Sequence, residues 1–329
     1  MNKAQAATNN KATSMSPHPH AVRNGLLLGT LGVVIFALTL PLTRLAVGTP
    51  EAPQMSGVFV SAGRATVAAL LSIVFLWVTH APMPKRTDWL PLCVVTLGVV
   101  FGFPMFSSVA MRHVEAVHAS VMLGVVPLAT ALVGAWLHRQ RPSAGFWVCA
   151  GLGTALVVTF AVLRSGQSGL TLAGADILLL LAMACAAVGY GVGALLSQRL
   201  RADHVICWAL VIGLPLNMPL ALAEYPQATI KFEAWLGFFY VAVFSQWLGF
   251  FAWYRGLALG GTVRVSQVQL LQPFLSMLFA VPILGERLDA LTIGFGLAVI
   301  ATVAIGRKMP VRDTHTTTPP LFETKTTSS

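Results

Sequence analysis

Apolar stretches of about 20 residues recur along almost the whole chain and are separated only by short polar connections. A helix of that length crosses the roughly 30 Å hydrocarbon core of a bilayer, and lipid leaves no partners for free backbone groups. Hydrophobic residues make up 56% of the chain and charged residues 10%, whereas charged residues are about a quarter of a typical soluble domain. We therefore predict an all-α integral membrane protein.

The chain contains ten such segments. They cover residues 24–46, 55–79, 88–111, 115–137, 143–163, 174–197, 203–223, 233–256, 263–284 and 289–307. Ten segments divide into two groups of five, and an odd number brings the second group into the membrane from the opposite side. We therefore predict two inverted five-helix repeats, at 24–164 and 165–308, between disordered cytoplasmic tails at 1–23 and 309–329.

Basic residues orient the segments. With the amino terminus inside the cell, 15 of the 21 Lys and Arg residues lie on the cytoplasmic side, five lie outside and Arg64 lies within a helix. Cytoplasmic loops of membrane proteins carry the excess of positive charge, so both termini are predicted to be cytoplasmic. The net charge of +10 is thus explained by topology, and we expect no nucleic-acid partner.

The four cysteines, Cys93, Cys149, Cys185 and Cys207, lie inside apolar segments without metal-ligand spacing. We interpret them as small core residues and predict no disulfide, no metal site and no cofactor. Small-residue spacings such as Gly98-x-x-x-Gly102 and Gly189-x-x-x-Gly193 predict close contacts between helices.

Two prolines interrupt apolar segments at corresponding places. Pro127 and Pro273 are 146 residues apart, and each segment then ends in a polar step, at Gln140 and Glu286 respectively. An interior proline removes a backbone donor and breaks a helix. Paired breaks in the two halves of a membrane chain indicate a transporter binding site, where opened backbone lines a cavity.

The ten-segment, two-by-five layout resembles the EamA family of the drug/metabolite transporter superfamily over residues 24–308. The resemblance is carried in the first half by Phe36-Ala-Leu-Thr-Leu-Pro-Leu-Thr-Arg44, Gly63-Arg64, Ala68-Ala69-Leu70, Ala110-Met111, Ala119-Ser120 and Pro127. In the second half it is carried by Tyr190-Gly191, Ser197-Gln198-Arg199, Gly256-Leu257, Val265-Ser266, Pro273 and Gly285-Glu286-Arg287-Leu288.

The resemblance implies a bacterial inner-membrane exporter of amino acids, related metabolites or drugs, with a small-molecule substrate and membrane lipid as its partners. One departure is visible, because the family usually ends both repeats with an acidic residue and this chain has Gln140 in the first. The resemblance therefore implies no role that needs an acidic residue at the end of both repeats.

Arg64 is the candidate residue for substrate binding, because a charge well inside a membrane segment is costly and usually faces the interior or water. It could bind the carboxylate of an amino-acid-like substrate. Alternatively, its side chain could snorkel or donate to helix carbonyls. The transport hypothesis predicts a cavity that contains Arg64 and residues of the ninth segment.

Polar and aromatic side chains at comparable depths complete the predicted site. They are Phe36, Thr39, Phe103 and Ser107 in the first half, and Tyr190, Gln246, Trp247, Gln269 and Gln272 in the second. Amides in lipid need partners, so several should turn inward, although they could also serve as hydrogen bonds between helices. Because Gln269 and Gln272 frame Pro273, we expect the polar part of the site on that side.

No Asp or Glu lies near the middle of a predicted segment, whereas proton-coupled exchange normally uses a buried carboxylate or histidine. Facilitated diffusion is therefore favoured, and a proton as coupling partner is the alternative, through His118 or a peripheral acid such as Asp176. A transporter working by alternating access is the leading hypothesis. A non-transporting assembly or lipid-flipping partner is the second, and a membrane enzyme is the weakest because no catalytic constellation is visible.

Overall fold

The computed structural model describes residues 19–137, 141–164, 174–260, 265, 267–307 and 311–312. Apart from short loops, turns and bends, these residues form helices and one two-residue ladder. Six helices are long and apolar enough to cross a membrane, and four shorter apolar helices lie in the other four predicted intervals. The all-α prediction is confirmed, while the count of ten spanning segments stays a prediction.

We number the apolar segments 1 to 10 in chain order. In the first half they are Pro19–Ala37 with Thr39–Val47, Gly57–Val78, Arg86–Ala110, Ala116–Leu123 with Val126–Leu137, and Ala144–Arg164. In the second half they are Gly174–Leu196, Ala202–Ala223, Phe232–Gly260, Gln267–Leu284 and Ala290–Arg307.

Both predicted tails contain some ordered residues. Segment 1 begins at Pro19, inside the predicted tail 1–23, because the fixed φ of proline suits the first position of a helix. Val311–Arg312, inside the predicted tail 309–329, pair antiparallel with Arg141–Pro142. This ladder joins the connection after segment 4 to the chain after segment 10.

Equivalent segments are interrupted in the same way in both halves. Segment 3 contains a π-helical stretch at Thr96–Gly102 and segment 8 contains one at Tyr240–Leu248. In segment 4 the first helix ends at Leu123, and Pro127 is the second residue of the next helix. In segment 9 a 3₁₀ stretch at Gln267–Leu271 precedes a helix whose second residue is Pro273. Each proline thus begins a new helix, where its missing donor costs nothing.

The two halves interlock instead of packing as separate bundles. Segment 2 packs on 7, segment 5 on 10, segment 1 on 8 and 9, and segment 6 on 3 and 4. Exchanging the halves, so that 1 becomes 6 and 3 becomes 8, leaves this pattern of contacts unchanged. The contact pattern therefore fits two repeats related by an approximate two-fold rotation, and it brings segments 1, 2, 3 and 8 together.

Glycines allow segments 3 and 6 to touch. A Cβ on Gly98 would stand 2.8 Å from the carbonyl oxygen of Cys185 and 2.9 Å from the Cα of Gly189. The backbones are therefore in direct contact, as the small-residue spacing predicts. All four cysteines are free thiols.

Candidate functional site

Arg64 is the centre of the candidate site. It lies on segment 2, and its side chain is the largest of the fully buried ones, with 1% of the residue exposed. Its Nη2 donates to the hydroxyl oxygen of Ser245 on segment 8 at 3.1 Å. That hydroxyl shares a 2.8 Å hydrogen bond with the hydroxyl of Thr39 on segment 1. Three segments therefore meet through one arginine.

The described residues leave the remaining donors of Arg64 without partners. Among the described residues, Nε and Nη1 have no hydrogen-bond partner and no carboxylate forms an ion pair with the guanidinium. A buried charge without a partner is strongly unfavourable. A guanidinium presents parallel N–H groups that match a carboxylate with two hydrogen bonds. The two unpaired nitrogens of Arg64 are therefore able to donate to an anionic group.

Gln246 lies beside Ser245 and is also buried. Its Nε2 donates to the carbonyl oxygen of Val99 at 3.1 Å, and its Oε1 has no partner among the described residues. Gln246 and Val99 both belong to the π-helical stretches, which occur frequently at functional sites. The free amide oxygen can accept a hydrogen bond from an ammonium or hydroxyl group.

Aromatic rings surround Phe36 on segment 1. Its ring centroid lies 5.0 Å from that of Phe250 and 6.4 Å from those of both Tyr190 and Trp253. Tyr254 continues the group, 5.4 Å from Phe250. The Tyr254 hydroxyl and the Trp253 Nε1 are buried and lack partners among the described residues. This aromatic cluster could enclose an apolar side chain while offering polar atoms at its edge.

Tyr190 connects the aromatic cluster to the arginine, since its hydroxyl is near enough to Arg64 for the two groups to interact electrostatically. The structure therefore connects four predicted residues, namely Phe36, Thr39, Arg64 and Tyr190, while Gln246 follows Ser245 directly on segment 8. Sequence reasoning gave Ser245 no separate role, although its position next to Gln246 in a polar run was the available signal.

Other predicted residues lie apart from these contacts. The ring of Trp247 is 6.1 Å from Phe75 and 5.0 Å from Phe251, which form a separate aromatic group. The Ser107 hydroxyl donates to the carbonyl oxygen of Phe103 at 2.6 Å, within its own helix. Ser107 is thus satisfied locally, as hydroxyls in membrane helices often are.

Segment 9 contributes two buried amide side chains. Gln269 and Gln272 are 3% and 5% exposed, and their side chains form no hydrogen bond with the described residues. Pro273 is buried beside them, whereas the side chain of Pro127 lies outside the described part. The hydrogen bonds that define the candidate site come from segments 1, 2, 3 and 8. The hydrogen bonds expected from Gln269 and Gln272 beside Pro273 are not among those of the described residues.

A cavity of about 640 Å³, which we call the vestibule, lies at the end of the bundle where segments 1 and 9 finish. Charged residues of both signs line it, namely Arg44, Lys231, Arg287, Glu115, Glu233, Glu286 and Asp289. Arg64 does not line the vestibule, and the predicted cavity that contains Arg64 stays a prediction. Thr39 on segment 1 and Ser245 on segment 8 form the chain of hydrogen bonds that ends at Arg64.

Glu286, which borders the vestibule, caps a helix of the other half. Its carboxylate oxygens accept hydrogen bonds from the backbone N–H groups of Ala116 at 2.8 Å and Val117 at 2.7 Å. Gly285 allows this turn, because its φ of 70° lies in the left-handed region. Burial raises the pKa of Glu286 above its ordinary value, although the two N–H donors act in the opposite direction.

A second polar contact holds the helix Ala116–Leu123, whose first residues Glu286 caps. His118 Nε2 lies 2.7 Å from the Asp176 carboxylate, and the two residues are 6% and 1% exposed. The ring of Phe160 on segment 5 packs 5.0 Å from the imidazole. Sequence reasoning named both residues as peripheral groups but did not pair them, because no local pattern relates positions on segments 4 and 6.

Comparison with known proteins identifies the family. The EamA-like transporter family matches residues 23–162 and, a second time, residues 173–306. The chain belongs to the EamA-like transporter family. It is 39% identical over 287 residues to the uncharacterized transporter YdeK of Bacillus subtilis (strain 168), covering 87% of this chain and 97% of that protein.

More distant similarities agree with this assignment. The chain is 24% identical over 244 residues to the uncharacterized inner membrane transporter YicL of Salmonella typhimurium (strain LT2), covering 71% of this chain and 80% of that one. A crystal structure of a protein that is 19% identical aligns with a TM-score of 0.58 over 86% of this chain and 97% of that one, which shows the shared fold.

This EamA-like transporter is therefore a multi-pass membrane protein with a two-repeat helical fold, and the resemblance stated from its sequence is confirmed. A transporter family implies a small-molecule substrate and a lipid environment. Membership in such a family also agrees with the expectation that the chain is not an enzyme. The described residues contain no group of three potential metal ligands.

Proposed function

We propose that this transporter exports small amino-acid-like or amphipathic metabolites by alternating access of two inverted five-helix repeats around the Arg64 site. The observation that carries this proposal is the buried guanidinium of Arg64, with two nitrogens unpaired among the described residues. A carboxylate entering from either side would pair with them and remove most of the penalty for burying the charge.

The surrounding groups support a zwitterion over a polyanion. The amide oxygen of Gln246 is free to accept from an ammonium group. The rings near Phe36 offer an apolar surface for a side chain. A substrate with several phosphates would need more cations than the single arginine that is buried among the described residues.

Placement in the bacterial inner membrane, with both termini cytoplasmic, belongs to the same proposal. It is supported by the excess of basic residues on the side that holds the termini. The inner membrane transporter of Salmonella typhimurium is a relative with that location in its name. The vestibule then opens to the outside, and Arg64 is buried in the conformation described here.

The test is counterflow in proteoliposomes loaded with each of a panel of unlabelled amino acids and amphipathic metabolites. Arg64→Gln is compared with wild type and with the matched control Arg255→Gln, since Arg255 is exposed on segment 8. Losing two charge-assisted hydrogen bonds, at about 1.5 kcal/mol each, should raise the half-saturating concentration about 100-fold in Arg64→Gln. Arg255→Gln should match wild type.

Two results would contradict the proposal. If Arg64→Gln keeps wild-type affinity for every transported compound, Arg64 does not bind the substrate. If no compound in the panel exchanges, while labelled phospholipid moves between the leaflets of the same vesicles, the protein acts on lipid instead.

A further inference from the structure

We propose that the substrate passes between Arg64 and the vestibule along the hydroxyls of Thr43 on segment 1 and Ser276 on segment 9. This inference rests on the proposed transport function and deepens it by naming the route that connects the Arg64 site to the cavity. The route is closed in the conformation described here, because both side chains are buried.

Four buried serine and threonine hydroxyls have no hydrogen-bond partner among the described residues. They belong to Thr43, Ser61, Ser108 and Ser276, each of which is 0% exposed. Other buried hydroxyls of this chain donate to the carbonyl oxygen one turn earlier in their own helix, as those of Ser72 and Ser120 do at 2.8 and 2.6 Å. Because buried polar groups are normally paired, the four exceptions call for an explanation.

Two of the unpaired hydroxyls mark the vestibule end of the bundle. Ser61 lies one helical turn from Arg64, on the side where segment 2 begins at Gly57. Ser108 lies near the end of segment 3, which finishes at Ala110. Both are therefore nearer that end of the bundle than Arg64 is.

Thr43 connects the Arg64 site to the vestibule. It lies one turn after Thr39 on the same face of the helix Thr39–Val47. Thr39 shares a hydrogen bond with Ser245, which accepts from Arg64. Arg44, the residue after Thr43, lines the vestibule. Polar groups therefore follow segment 1 from the guanidinium to the cavity.

Segment 9 supplies the second hydroxyl of the route. Ser276 lies on the helix Gln272–Leu284, which packs against Thr39–Val47. Leu284 at the end of this helix lines the vestibule. A 3₁₀ stretch precedes the helix, and such stretches often mark hinges. Separation of the two helices would open a path from the vestibule that passes hydroxyls of both.

The unpaired hydroxyls are unfavourable in the closed conformation. A buried donor without a partner keeps its desolvation penalty, whereas an apolar group of the same shape has none. A valine would therefore suit the closed packing at Thr43 better than a threonine does. The hydroxyl is explained if it bonds to water, or to the ammonium or carboxylate of the substrate, when the route opens.

Access of water to the two positions is measured in the purified full chain in micelles. The four natural cysteines are replaced by alanine, and Thr43→Cys, Ser276→Cys or Ser120→Cys is added to this background. A charged thiosulfonate reagent, which reacts only with hydrated thiols, is then applied. Ser120→Cys is the matched control, because Ser120 is equally buried near the start of segment 4 but its hydroxyl is satisfied.

Thr43→Cys and Ser276→Cys should react at least about ten-fold faster than Ser120→Cys, since the route must open to water whereas an ordinary packed position does not. The compounds of the counterflow panel are added one at a time. Those that the cysteine-free background transports should slow the reaction at Thr43→Cys and Ser276→Cys, because a substrate in the route excludes the reagent.

A second measurement keeps the natural cysteines. Thr43→Val preserves the shape of the side chain and removes its hydroxyl. It should unfold at an equal or higher fraction of dodecyl sulfate than wild type, but it should slow counterflow about five-fold. Thr96→Val is the control for stability, because the Thr96 hydroxyl donates to the carbonyl oxygens of Leu92 and Ala209 at 2.9 Å. It should unfold at a lower fraction.

Three results would overturn the route while leaving transport at Arg64 intact. The first is a reaction at Thr43→Cys and Ser276→Cys as slow as that at Ser120→Cys. The second is a fast reaction that no transported compound slows, because water but not substrate would then reach the hydroxyls. The third is a wild-type counterflow rate in Thr43→Val. Absence of exchange by wild type would instead contradict the proposed function itself, and the route with it.

Discussion

Replacing Gly98 by alanine should loosen the contact between segments 3 and 6 that holds the π-helical stretch at the candidate site. The new Cβ would lie 2.8 Å from a backbone oxygen and 2.9 Å from a backbone Cα, whereas carbon contacts are best near 3.5–4.0 Å. Both obstacles are backbone atoms of segment 6, so no side chain can rotate away. The helices must separate by about 0.7 Å or more to restore van der Waals distance.

The expected cost follows from two opposing effects. Overpacking a close contact costs about 1–3 kcal/mol, and a glycine-to-alanine change inside a helix returns about 0.5–1 kcal/mol. Gly151→Ala on segment 5 is the matched control, because nothing lies within 4 Å of its added Cβ. It should show the gain alone, so the two variants should differ by about 1–3 kcal/mol.

The unfolding free energies of the two variants are measured in mixed micelles with an increasing fraction of dodecyl sulfate, with circular dichroism as the signal. Gly98→Ala should unfold at a lower fraction than wild type, and Gly151→Ala at an equal or higher one. Equal stability of the two variants would mean that the backbones are not in contact at Gly98, and the packing described for segments 3 and 6 would be refuted.

Three further outcomes are expected. Gln246→Leu removes one hydrogen bond to Val99, so it should change the unfolding free energy by less than about 1 kcal/mol. It should nevertheless weaken the transport of zwitterions in counterflow, and unchanged transport would exclude the Gln246 amide from the site. Ser107→Ala should leave transport within about two-fold of wild type, because its hydroxyl is satisfied inside its own helix. Burial raises the pKa of Glu286, so its contribution to the unfolding free energy is present below the ordinary pKa of 4.5 and is lost as the pH rises through the raised value. Glu286→Gln should remove this pH dependence of the unfolding free energy between about pH 4 and 8.

The architecture could be predicted because it depends on patterns that are local in the sequence. Segment length and apolar content determine which stretches are helices in lipid. Proline geometry explains why helices restart at Pro127 and Pro273. The depth of a residue within its segment was enough to select Phe36, Tyr190 and Arg64, which the structure brings together.

The contacts of the candidate site depend instead on the rotation of each helix about its axis. Hydrophobicity does not fix that rotation when nearly every face of a helix is apolar. Trp247 and Gln246 are adjacent in sequence, yet one packs on Phe75 and the other donates to Val99. The pairing of His118 with Asp176 likewise follows from the packing of segments 4 and 6. Neither residue alone predicts the other.

The fold is close to symmetric, whereas its chemistry is not, and that difference bears on mechanism. Arg64 is the eighth residue of Gly57–Val78, and Ala209 is the eighth residue of the equivalent helix Ala202–Ala223, which packs against it. Both are buried, but Ala209 presents only its carbonyl oxygen, to the hydroxyl of Thr96 at 2.9 Å. Matching breaks in both halves allow either end to open. Among the described residues, Arg64 is the one Lys or Arg that is buried. Under the proposed function it provides one anchor for one carboxylate, so we expect one substrate for each transport cycle although the fold is nearly symmetric.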